Sequence, residues 1–231
     1  MLINMFIDYY YIVLILPCII LAGIAQSMVS SAFSKYSSLA SSRGMSGAEV
    51  ARKILDLNGL THVTIERVNG NLTDHYDPGK KVVRLSESVY SSNSVAAIGV
   101  AAHETGHAVQ HATGYFPLKI RSSIFPVVNI SSRIAIPLAL LGFILQLESL
   151  ISFGIILFSA VVIFQVITLP VEFNASKRAL KILGETNILA QQEIGAASKV
   201  LRAAALTYVA SALTSVMSLL RLIIISNNRR N

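Results

Sequence analysis

Residues 101–111, A-A-H-E-T-G-H-A-V-Q-H, carry three of the chain's five histidines. His103 and His107 are spaced i, i+4, so on a helix both imidazoles leave the same face about one turn apart. Two ring nitrogens placed in this way can reach one metal ion. Glu104 stands beside the first histidine, where it can contact a water on that ion without binding the ion itself. The arrangement is the H-E-x-x-H pattern of zinc metalloproteases, in which the metal acidifies a water and the carboxylate takes its proton. The preceding V-A-A-I-G-V-A-A (95–102) is small and apolar, as a helix buried beside an active site requires. Ser92, Asn93 and Ser94 offer N-caps and Gly114 a stop, which predicts a helix from about Val95 to Ala112.

Outward from this helix the composition sets the setting. Hydrophobic residues make up 53% of the chain and charged residues 13%, with a mean hydropathy of +0.62. These values point to a membrane protein. The net charge of +7 has no aromatic-interleaved basic stripe behind it. It fits the positive-inside pattern of a membrane protein better than nucleic-acid binding, so no nucleic-acid partner is expected. The single cysteine, Cys18, lies in an apolar run. That excludes a disulfide framework and a thiolate metal site, so any metal must be held by histidine and carboxylate.

Four apolar stretches follow from the hydropathy. The first runs from near Phe6 to Met28, with Tyr9, Tyr10 and Tyr11 suited to an interface belt. Met1 to Asp8 has no basic n-region, so it reads as a retained anchor and not a cleaved signal. The second runs from Ile124 to about Leu147, with Asn129 and Arg133 in its first half. After a turn at Glu148-Ser149, the third runs from Leu150 to Leu169 and is ended by Pro170. The fourth, Ala203 to Ile225, either spans or lies against the catalytic unit. Between the first and second stretches, Ser46-Gly-Ala-Glu49 predicts a capping box opening a helix to about Leu57, stopped by Asn58-Gly59. H-V-T-I-E-R-V (62–68) and K-V-V-R-L (81–85) then predict a hairpin. One edge of this unit can receive a peptide substrate, and a purely structural hairpin is an equal alternative.

Catalytic zinc commonly takes three protein ligands and leaves a place for water. His111 is too far along a straight helix to share an ion with His103, at about 12 Å. His62 and His75 fall in a strand start and a loop; His75 or Tyr76 can donate to a developing oxyanion, but ordinary loop polarity is the favoured reading of both. Glu172 is the stronger choice for the third ligand. The second and third stretches return the chain to the side where the catalytic helix ended, and Glu172 follows at once. Its other reading is a helix N-terminal carboxylate favoured by the macrodipole, and the two roles are compatible.

H-E-T-G-H followed by a span pair and L-P-V-E-F-N-A-S-K-R-A resembles the bacterial neutral zinc metallopeptidases of the membrane, the YugP-like group, over nearly the whole chain. More distantly, in the two motifs and the intervening spans, it is similar to the HtpX and Ste24 type of integral-membrane zinc proteases. In those relatives the glutamate of E-x-x-A-D is the third ligand, which the resemblance carries to Glu172, with Ala175 matching and Ser176 standing where they have aspartate. A hydroxyl orients a ligand histidine less strongly than a carboxylate.

The expectation is a mainly α membrane protein with three to four transmembrane helices and a small α+β zincin-like, gluzincin-like catalytic unit. Its segments are an anchor (1–33), a helix-plus-hairpin unit with the catalytic helix (34–121), a transmembrane hairpin (122–170), a helix carrying the third ligand (171–202), and an apolar helix with a basic tail (203–231). One zinc ion is held by His103, His107 and Glu172, and Glu104 is the general base of a peptide hydrolase. A protein or peptide substrate is expected, membrane proteins among them, with the lipid bilayer as surroundings. Lys35, Arg43, Lys177, Arg178 and Lys181 favour a cytoplasmic catalytic face in a multi-pass protein of the cell membrane, while Arg229 and Arg230 oppose it for the tail if the fourth stretch spans. The rival readings are a scaffold with structural zinc and a zinc hydrolase of lipid amides or esters.

Overall fold

A computed structural model describes residues 8–228. The start of the first apolar run at Phe6 and the Arg229-Arg230 tail lie outside the described residues. The fold is mainly helical with one small sheet. A π-helical turn, Tyr11–Ile15, leads into α1 (Leu16–Ser37). α2 (Gly47–Leu57), β1 (Thr64–Val68), β2 (His75–Asp77), β3 (Val82–Ser86) and the short α3 (Glu87–Tyr90) follow. The chain continues through α4 (Val95–Ala112), α5 (Phe116–Leu145), α6 (Glu148–Glu185) and α7 (Gln191–Asn228). Among the described residues, four helical stretches are long and apolar enough to cross a bilayer: Tyr11–Ser37, Phe116–Leu145, Glu148–Glu185 and Gln191–Asn228.

The chain divides into two compact units. One comprises the chain up to Ala25, Lys119–Pro170 and the chain from Thr207 onward. Its core joins Val128, Ala135, Ala139 and Phe143 of α5 to Ile151, Phe158 and Val161 of α6, with Leu222 of α7. Small residues allow the α5–α6 approach: a Cβ on Gly154 would stand 2.8 Å from Ala139 Cβ and 2.9 Å from the Ala135 carbonyl. The turn between these helices is Gln146-Leu147, with Gln146 at φ 58°, and not Glu148-Ser149, which begins α6. In the same unit Asp8 pairs with Arg221, Oδ1 with Nε and Oδ2 with Nη2, each at 3.2 Å. Arg221 also lies over the Tyr11 ring at 5.6 Å, so this cation in an apolar helix is met by charge and by a π face.

The other unit, Gln26–Leu118 with Val171–Leu206, contains α2, the sheet and α4. The expected capping box is present: Glu49 N–H donates to Ser46 Oγ, and Ser46 N–H donates to Glu49 Oε2 at 2.7 Å. Val50, Ala51, Ile54 and Leu55 form the buried face of α2. Arg52 then ties the following loop by donating to the carbonyls of Leu60 and Val63.

The predicted hairpin is different in detail. β1 runs parallel to the central strand β3, and β2, a strand of only three residues, lies antiparallel on β3's other side. The tight turn therefore joins β2 to β3, where Gly79 and Lys80 N–H groups both donate to Asp77 Oδ1. Strand β3 is buried on both faces, which its V-V-R-L-S run permits.

One expected helix end is also corrected. α6 runs through Pro170 without stopping. Proline forfeits a single N–H there, a loss that helices at membrane depth tolerate. Asn187 adopts φ 50° in the turn after α6, and the cap of the last helix falls at Ala190, whose N–H donates to Glu193 Oε2.

Candidate metal centre

α4 is the axis of its unit because nearly all its faces are covered. Val95, Ile98 and Ala102 pack with Leu183, Ile188 and Ala197, while Ala97, Ala101, Ala108 and Val109 pack against the sheet and α2. Its start is capped by Ser94, whose Oγ accepts from Ala97 N–H. At Gly106 the backbone of α6 comes so close that a Cβ would lie 2.9 Å from the Ala175 carbonyl oxygen. This glycine lets α4 and α6 approach at the level of the two motif histidines.

The approach brings Glu172 of α6 between the imidazoles of α4. Glu172 Oε2 is 3.2 Å from His103 Nε2 and 3.5 Å from His107 Nε2. The two rings stand edge to face, 4.8 Å between centroids. Among the described residues, His103, His107 and Glu172 offer ligand atoms all within 4.8 Å of one another. Glu172 is 2% exposed, which leaves its carboxylate dependent on these partners. Two imidazole nitrogens and one carboxylate suit zinc, and donors about 2 Å from one tetrahedral ion stand roughly 3.3 Å apart, as the Glu172 separations do.

Each histidine is held from behind. His103 Nδ1 lies 3.1 Å from Ser176 Oγ, and His107 Nδ1 lies 3.0 Å from Gln110 Oε1. Glu104 sits within electrostatic reach of the whole cluster. Burial pushes its carboxyl above the usual carboxylate range; His103 and His107 oppose that shift, and Glu172 and Asp74 add to it. For His107 burial works against the cation, but the Glu172 hydrogen bond and the fields of Glu104 and Glu172 outweigh it, so its pKa lies above that of an ordinary histidine.

The remaining candidates are placed elsewhere. His75 Nδ1 bonds the Thr73 carbonyl and its Nε2 meets Arg84. Tyr76 points to the other side of β2, packs in the core beside α4, and its hydroxyl lies 2.9 Å from His111 Nδ1. His111 is exposed and engaged by that tyrosine. Sequence reasoning missed Gln110 and Asn174. Gln110 falls three positions after His107 on the ligand face, a spacing that marks it as a neighbour of that ring.

His103, His107 and Glu172 could together hold a metal ion, beside Glu104, in a chain with four membrane-length helices among the described residues. Residues 11–227 match the family described as "Putative neutral zinc metallopeptidase", and the chain belongs to that family. It is 55% identical over 207 residues to the "Putative membrane protease YugP" of Bacillus subtilis (strain 168), covering 90% of this chain and 92% of the relative. No solved structure matches it.

Proposed function

We propose that the chain is a zinc-dependent endopeptidase of the cell membrane, with a gluzincin-like site in which His103, His107 and Glu172 hold one ion. The observation that carries this reading is the meeting of three donor atoms from two helices, His107 and Glu172 buried and His103 half-buried, with Glu104 next to the first of them. When bound, zinc supplies a Lewis acid that polarises a substrate carbonyl and lowers the pKa of a water toward about 7. Three protein donors leave a coordination place open, which supports catalytic over structural zinc.

Glu104 acts as the general base. A carboxylate standing next to the first ligand histidine is placed to accept the proton of a metal-bound water. It takes a proton from the attacking water and returns it to the leaving amine, so the carboxylate is restored at the end of each turnover. The substrate is a peptide segment of a protein. Strand β2 is an edge strand in contact with α4, so an extended chain can add to its open side by main-chain hydrogen bonds. Neither His75 nor Tyr76 is assigned as oxyanion donor: the His75 ring is turned to Thr73 and Arg84, and the Tyr76 hydroxyl is bonded to His111.

The protein is multi-pass. Four spans return the chain to the side where it began, and the Asp8–Arg221 pair supports this by joining the start of the first apolar helix to the end of the fourth. Lys35, Arg43, Lys177, Arg178 and Lys181 support a cytoplasmic catalytic face. Accessibility labelling of cysteines introduced at 35–45 tests the orientation. The activity is tested by comparing membranes that carry the wild type or Glu104→Gln, with new protein termini mapped. Termini specific to the wild type are expected. Altered lipid amides or esters without new termini would make the enzyme a lipid hydrolase, and no difference of either kind would remove the catalytic reading.

A further inference from the structure

Gln110 has no part in the chemistry above, yet it is fully buried one turn beyond His107. Its amide is fixed at both ends. Gln110 Nε2 donates to the Val171 backbone carbonyl at 2.8 Å and to Asn174 Oδ1 at 3.0 Å. A backbone carbonyl only accepts, so the end of the amide that faces α6 must be the NH2 group. The Asn174 amide is directed independently, because its Oδ1 also accepts from Arg178 Nε at 2.7 Å, and a guanidinium only donates.

With its NH2 turned to α6, Gln110 presents Oε1 to His107 Nδ1. An amide oxygen accepts only, so Nδ1 must carry a proton. Of the two neutral forms of the ring, this one leaves the lone pair on Nε2, the atom that faces Glu172 at 3.5 Å. His103 lacks such a constraint at its Nδ1: the Ser176 hydroxyl both donates and accepts and is compatible with either form.

We propose that Gln110 is a positioning residue that locks His107 in the Nδ1–H tautomer, backed by the Val171 carbonyl and by the Asn174–Arg178 pair, so that the ring offers its lone pair to the metal in advance. The inference rests on the reading of His103, His107 and Glu172 as zinc ligands. The lock removes the wrong tautomer before metal arrives and holds the ring plane, as outer partners of ligand histidines do.

The test uses the purified full-length protein in detergent, with zinc affinity measured by chelator competition and ring tautomers by nitrogen NMR of histidine-labelled, zinc-free protein at a pH high enough that His107, with its raised pKa, is neutral. Gln110→Met keeps the length of the side chain and removes its polar ends. It is expected to weaken zinc roughly 10–100-fold and to turn the single neutral His107 form into a mixture. Asn174→Ala removes one of the two groups that orient the amide and is expected to cost several-fold, less than Gln110→Met because the Val171 carbonyl stays. Unchanged affinity in Gln110→Met, or a His107 ring still in one neutral form, overturns the proposal. If Gln110→Met does not fold, Asn174→Ala decides, and wild-type affinity there overturns it. His107→Ala in the same assay separates the two readings: undiminished zinc binding in that variant would show that the ligand assignment itself is wrong.

Discussion

Glu172 and His103 are 69 positions apart in the chain, and their Oε2 and Nε2 atoms are 3.2 Å apart in space. The carboxylate is buried and comes from a different helix, so it cannot be replaced by a neighbour on α4. Glu172→Gln is expected to lower zinc affinity by more than about 100-fold, beyond what the loss of an outer partner costs. Chelator competition measures it, and retained stoichiometric zinc would count against the three-ligand site.

Glu104 and Glu172 should separate cleanly. Glu104→Gln is expected to keep zinc at wild-type stoichiometry and to lose about 10²–10⁴-fold in peptide hydrolysis, the range of a general base. Metal analysis paired with cleavage of a model protein checks both halves, and undiminished cleavage would refute the assignment.

Ser176 holds the His103 ring by a neutral contact. Ser176→Ala should weaken zinc several-fold, and Ser176→Asp should tighten it, since a carboxylate orients a ligand imidazole more firmly than a hydroxyl. Equal affinities across the three proteins would show that the hydroxyl does not act on the ring.

Gly106 is a spacing residue. Gly106→Val places branched carbon against the Ala175 carbonyl, where even a methyl would stand 2.9 Å away. The expected cost is about 1–3 kcal/mol of stability, as for other overpacked sites. Thermal melts in detergent read it, and zinc binding should fall with it because the donors on α4 and α6 are forced apart.

Asp74 gives a pH signature away from the ligands. Burial pushes its carboxyl up, against hydrogen bonds from the Ser86 N–H and Oγ–H. A carboxyl raised in the folded state binds its proton there more tightly than in the unfolded chain. Stability therefore falls as pH rises from the ordinary aspartate value, about 3.9, through the raised one. In zinc-free protein, Asp74→Asn should remove that slope, so its melting temperature should gain on the wild type between about pH 4 and neutrality. Parallel profiles would mean that the carboxyl is not shifted.

The helix with the motif, its Ser94 cap and the capping box at Ser46 were legible because each depends on contacts within a few residues. Glu172 was reachable through connectivity: an apolar pair with a short turn returns the chain, and the next acidic residue is a candidate. The strand at His75–Asp77 was hidden, since three residues of H-Y-D carry no alternation and their pairing is decided by β3. Pro170 misled for a related reason. Its local preference is to end a helix, and that preference is overridden where the alternative is an unsatisfied backbone in an apolar setting. The link from Gln110 to Asn174 and Arg178 was invisible because it crosses between two helices whose approach is set by the missing side chain of Gly106.

The pairing of Asp8 with Arg221 has a consequence in time. The two are 213 positions apart. At about 5–20 residues per second, the ribosome delivers the arginine on the order of ten to forty seconds after the aspartate. Throughout that interval the first helix exists without its counter-charge, so the nascent anchor must keep the aspartate within reach of the headgroup layer. Its final depth is set only when the last helix arrives.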